Sequence, residues 1–264
     1  MDVDLFLGYG GALIVGLVLG LIGGGGSILT VPLLVYLLGY NPIVATAYSL
    51  FVVGSSSLVG TIQKHRKKLV DFRTGIAFSF PSFISVYLTR RYLMPNLPDT
   101  ILTIGHYNLT KEMGIMVFFA TVMLAASISM IRAKKEAPKT HYKQPYYKTF
   151  LQGIVIGVVT GIIGAGGGFL YVPALVHWAN LSMKKAVGTS LVIIMLNSLI
   201  GFTGDLHTIK VEWFFLLSFS VLTILGIVIG GLLSKYVSNK NLKKGFGWFT
   251  LIMAFFIMYE ELTL

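Results

Sequence analysis

Cysteine is absent from all 264 residues. That excludes a disulfide framework, a thiolate metal site and a thiol nucleophile. Charge is nearly as scarce. Only 12% of residues are Asp, Glu, Lys or Arg, against about 25% in a soluble domain. Acids are the rarer sign, ten against 21 basic residues. Catalytic signatures are missing too. There is no GxxxxGK[ST] phosphate loop, so ATP coupling within the chain is not expected, and HExxH and GxSxG do not occur. No basic stretch precedes the first apolar run, which is therefore expected to stay in the membrane rather than leave as a signal peptide.

What is abundant is apolar. Hydrophobic residues make up 55% of the chain and mean hydropathy is +0.80. Runs such as 113–131 and 191–202 approach or reach membrane length. The chain reads as an all-α, polytopic integral membrane protein of a single domain. In such a protein the net charge of +11 speaks of orientation and lipid headgroups, not of nucleic acid.

Glycine is the second abundance, 30 residues, four of them consecutive in "GLIGGGGSILTVP" at 20–32. A glycine inside a helix costs roughly 0.5–1 kcal/mol relative to alanine, so the cluster needs a reason. Shifting the sequence by 141 supplies part of one. Residues 20–35 then fall on 161–176, "GIIGAGGGFLYVPALV", with ten of 16 positions identical. The match continues through Ala45 and Ala186, Ser49-Leu50 and Ser190-Leu191, 57–60 and 198–201, and 70–72 and 211–213. Two related halves result, 1–131 and 149–264, joined by a polar linker at 132–148.

Each half reads as a crossing, a glycine break, a short helix and three further crossings. The short segments, 27–38 and 169–179, are too brief to span a core of about 30 Å. Basic residues choose between two topologies. If the short segment returns the chain, the runs 64–73, 132–148, 184–185 and 235–244 share one face with five, six, two and four Lys or Arg. Seventeen of the 21 then lie together and four lie opposite; a single broken crossing over 5–40 gives 12 against 9. The positive-inside rule favours the first arrangement, with five passages per half and hence two inverted repeats, each carrying a short or re-entrant helix after its glycine loop.

With those motifs in hand, the chain resembles the TauE/SafE family, also called the sulfite exporter family. The resemblance rests on the paired glycine loop and short proline helix, "GLIGGGGSILTVP" and "GIIGAGGGFLYVP". "AVGTSL" at 186–191 and the basic loop after the serine-rich helix reinforce it. It covers essentially the whole chain, and the long outer loop at 95–112 departs from it. The resemblance implies a secondary transporter in the bacterial inner membrane, moving sulfite, sulfoacetate or another small organosulfur anion, with export as the expected direction. A transporter or channel for another small anion, or for a cation or metal, is the alternative; a membrane enzyme finds no catalytic constellation.

The residues themselves suggest a site. Glycine breaks at membrane depth are tolerated where backbone lines a cavity or is buried in protein, and a helix N-terminus attracts anions. Candidate substrate-binding residues are Gly23, Gly24, Gly25, Gly26 and Ser27 in the first loop and Gly164, Ala165, Gly166, Gly167 and Gly168 in the second. Ser56, Ser57, Asn197 and Ser198, which overlay in pairs at the same offset, and His177 complete the set. The plainer readings are helix packing for the glycines, above all Gly16, Gly20, Gly157 and Gly161, hydroxyls bonded to their own helix for the serines, and a local partner near the interface for His177. Asp71 and Glu212 read as helix N-caps. No Lys or Arg is placed deep in a span, and no buried acid is foreseen. No cofactor, metal or catalytic residue is expected. The expected partners are a small anion and the lipid bilayer, with a homodimer left open and nucleic acid excluded.

The basic-face assignment is directly testable, because any introduced cysteine is unique in this chain. Cysteines placed at Lys139 and Lys240 are both expected to be shielded from an impermeant thiol reagent in intact cells. Labelling of one without the other contradicts the five-plus-five topology.

Overall fold

The computed structural model describes residues 2–24, 26–104, 107–132, 146–236 and 238–263. Gly25 and most of the linker fall outside these. The first half comprises α1 (Asp2–Ile22), α2 (Ser27–Pro32, continued by a π-helical turn Leu33–Leu37), α3 (Pro42–Arg66), α4 (Phe72–Leu88, continued by a π turn Thr89–Leu93), a short α5 (Met94–Asn96) and α6 (Lys111–Arg132). The second comprises α7 (Tyr146–Ile163), α8 (Gly168–His177), α9 (Met183–Asp205), α10 (Trp213–Leu233) and α11 (Asn239–Thr263). The 141-residue offset carries the ends of α1 onto α7 and the starts of α2, α3 and α4 onto α8, α9 and α10, residue for residue.

Local chemistry accounts for these boundaries. α1 and α7 both end at a glycine with positive φ, Gly23 at 76° and Gly164 at 69°. The N–H of each closes back on the helix, Gly23 to Leu19 O at 2.7 Å and Gly164 to Thr160 O at 2.9 Å. This is a left-handed C-cap that an L side chain would strain. α3 starts behind Asn41, whose side chain accepts from Ile43 N at 2.9 Å, with Pro42 in the first turn. α4 starts behind Asp71, which accepts from Thr74 N at 3.1 Å, as the capping reading expects. Glu212 departs from that reading. It makes no side-chain cap for α10 and instead accepts from Tyr40 OH at 3.2 Å. Burial, then the nearby Glu212 charge, raises the Tyr40 phenol above its ordinary pKa.

Five described helices are long and apolar enough to cross a membrane on their own: Leu5–Ile22, Pro42–Arg66, Lys111–Ile128, Met183–Asp205 and Trp213–Leu233. The remaining long helices pack alongside them, α4 on α7 and α9, and α11 on α6. The outer loop holds something the sequence reading did not anticipate, a small antiparallel hairpin of β1 (Thr100–Ile104) and β2 (Tyr107–Thr110).

The halves interlock by exchange. α1 lies on α10 of the other half, and α7 lies on α4. Glycines set both seams. A side chain at Gly16 would overlap the Thr223 carbonyl, one at Gly20 the Ile227 carbonyl, and one at Gly230 the Leu17 carbonyl. On the other seam, a Cβ at Gly157 would lie 2.6 Å from Ser82 O and one at Gly161 2.8 Å from Thr89 Cβ. These contacts also give direction. Residue numbers rise together along α1 and α10 and along α7 and α4, so each pair is parallel. α3 rises with α10, from Tyr48 beside Glu212 to Lys64 beside Ser234. α1 and α3 therefore run the same way, and α2 returns the chain between them. α3 and α9 cross antiparallel, with Gly54 on Leu199, Gly60 near Leu191 and Gly201 near Leu50.

The seam makes a paired stability prediction. Gly16→Ala forces α1 off α10 and is expected to destabilise by about 1–3 kcal/mol. Gly10 is the control, since a Cβ there would meet nothing within 4 Å. Gly10→Ala is expected to leave the detergent-solubilised protein at or slightly above the wild-type Tm. Equal Tm values for the two variants contradict the seam.

Candidate functional site

The glycine loops meet. A Cβ at Gly24 would overlap the backbone of Gly168, and one at Gly168 would overlap Gly24 Cα. Backbone thus touches backbone between the halves, which only glycine allows. Gly166, with φ of 65°, lies between α3 and α9, its absent side chain surrounded by Val53, Ile194 and the Ser198 hydroxyl at 2.9–3.2 Å. Gly167 caps α8 at φ 69° without a side-chain bond. Ser190 Oγ donates to Gly23 O at 2.5 Å and ties the first loop to α9. Its repeat mate Ser49 is fully buried, with a hydroxyl that finds no partner.

Beside the loops is a buried polar cluster. Asn197, 1% exposed on α9, donates from Nδ2 to Tyr171 OH at 2.6 Å and to Ser82 Oγ at 2.8 Å. Ser82 and Tyr171 are themselves 2.6 Å apart. Three helices, α4, α8 and α9, are pinned through this one amide. Its Oδ1 has no partner, and the same holds for the hydroxyls of Ser57 and Ser198. Polar atoms buried in a membrane bundle are costly unless something satisfies them. The crossing of α3 and α9 therefore carries unused hydrogen-bonding capacity next to the two loops. A cavity of about 670 Å³ opens away from the loops, between α1, α2 and α11, but apolar side chains such as Val15, Leu33 and Phe249 line it and offer an anion almost nothing to bond.

A family model described as "Sulfite exporter TauE/SafE" matches residues 9–257. The chain belongs to the TauE/SafE family. Among curated relatives, a "Probable membrane transporter protein" of Xylella fastidiosa is 29% identical, over 97% of this chain and 94% of its own length. The "Probable membrane transporter protein YunE" of Bacillus subtilis is 28% identical over 86% of each chain. A third, from Haemophilus influenzae, is 28% identical over 90% of this chain and 92% of its own. No solved structure gives a significant match. This TauE/SafE chain is a membrane transporter, a multi-pass protein of the bacterial inner membrane.

The sequence-predicted residues of the TauE/SafE chain divide clearly. Gly24, Gly166, Gly168, Asn197 and Ser198 gather at the loop crossing, with Ala165 and Gly167 buried in the second loop. Gly26 packs against α1, where a side chain would overlap Val15 O. Gly23 and Gly164 serve as helix caps facing Val187 and Thr46 respectively. Ser27 spends its hydroxyl on Gly24 O at 2.7 Å, and Ser56 spends its own on Val52 O at 2.6 Å, so both follow the local-bonding reading. His177 ends α8, but its side chain lies outside the described set, as does Gly25.

Two expectations are corrected. The sequence places no Lys or Arg deep in a span, yet Arg90 is fully buried, and it foresees no buried acid, yet Asp205 is only 4% exposed. Their charges approach to 3.5 Å, which is why both can lie inside. Sequence reasoning also missed Tyr171 and Ser82. A signal existed. Ser82, Val86 and Arg90 recur every four residues on the face of α4 that is buried, and Tyr171 lies one turn into the helix after its glycine loop. Among the described residues no group of three His, Asp or Glu could hold a metal ion.

Proposed function

We propose that this TauE/SafE transporter moves a small sulfur-containing anion, sulfite or a short organosulfonate such as sulfoacetate, out of the cell by alternating access of two inverted halves. The observation that carries the reading is the meeting of the two glycine loops beside unpartnered buried donors. Backbone N–H groups and the Ser57 and Ser198 hydroxyls form a compact, water-poor lining suited to a small oxyanion, while Asn197, its N–H groups taken by Tyr171 and Ser82, holds the helices around it. The antiparallel crossing of α3 and α9, equivalent helices of the two halves, supports the inverted relation. Rocking one half against the other about the shared glycine seams opens the crossing to each side in turn. The anion is taken up from the basic face, where the loops around Lys64–Arg73 and Lys184-Lys185 concentrate it.

Export in this scheme needs no ion coupling. A potential of about 100 mV, negative inside, is worth about 2.3 kcal/mol per unit charge, enough for roughly a 50-fold gradient of a monoanion. Asp205, the buried acid, has its charge engaged by Arg90.

The test is anion flux in proteoliposomes under an imposed potassium–valinomycin potential, with pH and sodium equal on both sides. Sulfite and sulfoacetate are expected to move faster than sulfate and chloride, in proportion to the potential. Gly166→Leu is expected to abolish flux while the protein is still made. Flux that ignores the potential and follows a proton gradient contradicts the energetic part, and wild-type flux from the Gly166 variant contradicts the site.

A further inference from the structure

Arg90 has an environment that a purely structural ion pair does not explain. It lies in the π turn that extends α4, with no exposed surface. Nη1 donates to Thr46 Oγ1 at 3.0 Å, and the same nitrogen lies 3.5 Å from Asp205 Oδ2. The second distance is well beyond the roughly 2.7–2.9 Å of a strong charged hydrogen bond. Nε and Nη2 have no partner at all. Nη2 lies directly against Gly164 in the second glycine loop, where any side chain would overlap it. Gly204 makes room on the other flank, since a Cβ there would stand 3.0 Å from Arg90 Cβ. A guanidinium has five N–H donors in a rigid fork, and here two of its three nitrogens are buried and idle. Leaving them so is expensive unless something else visits them.

The repeat sharpens the point. At the 141-residue offset, Arg90 corresponds to Gly231 and Gly204 to Gln63. The second pair also packs, Gln63 filling the space over Gly231. One of two equivalent positions therefore carries a buried guanidinium and the other carries none. Packing requirements shared by the halves do not call for the charge. Ser82, which binds Asn197 and Tyr171, is two turns earlier on the same face of α4, about 12 Å along the helix. Arg90 thus continues the polar lining from the loop crossing toward the face opposite the basic loops.

We propose that Arg90 is the charged partner of the transported anion at that end of the path, and that Asp205, on the Nη1 side, balances the guanidinium charge when no anion is bound. This rests on the anion-transport reading above and deepens it. Nε and Nη2 present two parallel N–H groups that match two oxygens of a sulfonate, sulfite or carboxylate. An anion arriving there satisfies the idle nitrogens and competes with Asp205 for the charge of the guanidinium, though not for the same N–H groups, weakening the link between α4 and α9. Departure of the anion lets Asp205 close on Arg90 again. The substrate class follows: anions with at least two oxygens on one centre are favoured over chloride.

The experiment measures Kd of sulfite, sulfoacetate, acetate and chloride for the full-length protein in detergent at constant ionic strength. Wild type, Arg90→Gln, Arg90→Lys and Asp205→Asn are compared. Loss of the bidentate contact is expected to raise Kd for sulfite and sulfoacetate about tenfold or more in Arg90→Gln, with Arg90→Lys intermediate. Asp205→Asn is expected to lower Kd several-fold, because it removes the competitor. A structural bridge predicts the opposite sign for Asp205→Asn, with binding weakened in both variants, and that result overturns the proposal. So does wild-type Kd in a folded Arg90→Gln protein. If Arg90→Gln does not fold, the sign of the Asp205→Asn effect decides. Wild-type protein that binds none of the four anions overturns the transport reading and this inference with it; wild-type binding that persists without Arg90 overturns this inference alone.

Discussion

Backbone-to-backbone contact between the halves is the constraint on which the rest depends. In lipid, helices gain nothing from burying apolar side chains against each other, since the surrounding chains are equally apolar. Association must come from close approach, and glycine gives the closest. Gly16, Gly20, Gly226 and Gly230 bring α1 and α10 into contact, and Gly153, Gly157 and Gly161 do the same for α7 and α4. Because the first helix of each half grips the fourth helix of the other, neither half completes its own bundle. The glycine loops then have a fixed place to meet, at Gly24 and Gly168.

From that seam the polar interior follows. Apolar side chains such as Val53, Leu191 and Ile194 pack at the crossing, but they do not fill it alone. Small polar residues are buried among them: Ser49, Ser57, Ser82, Asn197 and Ser198, each 0–1% exposed. Some are satisfied by their own helix or by one another, as in the Ser82, Tyr171 and Asn197 cluster. Others are not. The unsatisfied ones concentrate where equivalent helices cross, and Arg90 extends them toward one side. The proposed ligand, a small anion, is one whose chemistry matches O–H and N–H donors flanked by a guanidinium.

Much of the fold was legible in the sequence because duplication writes each boundary twice. The offset that aligns the glycine loops also aligns Pro42 with Met183 and Phe72 with Trp213, and all four begin helices. The glycine breaks were legible for the same reason, but the sequence reads Gly23 and Gly164 as binding residues and only the structure shows them as helix caps. What sequence could not supply was the partner of a side chain far away in the chain. Arg90 looks like an interfacial residue because it stands near the end of an apolar run. Its burial depends on Asp205, 115 positions later, and on a π turn that rotates the end of α4. Asn197 was recognisable as an amide in need of a partner, yet Tyr171 and Ser82 could be named only once three helices were packed together. Ser56 and Ser27 looked equivalent to Ser57 and Ser198 as hydroxyls, and only geometry separates those that bond locally from those left free. The hairpin of β1 and β2 escaped because its short strands lie in a loop outside the repeat.

The most direct measurement is an experimental structure of the protein with bound selenite, a sulfite-like oxyanion whose selenium is located by anomalous scattering. The account predicts a selenium peak within hydrogen-bonding reach of the Gly166–Gly168 loop and of Asn197 or Ser198, with Gly24 and Gly168 drawn apart to admit it. A selenium peak elsewhere in the bundle, with Gly24 and Gly168 still in backbone contact, would contradict it.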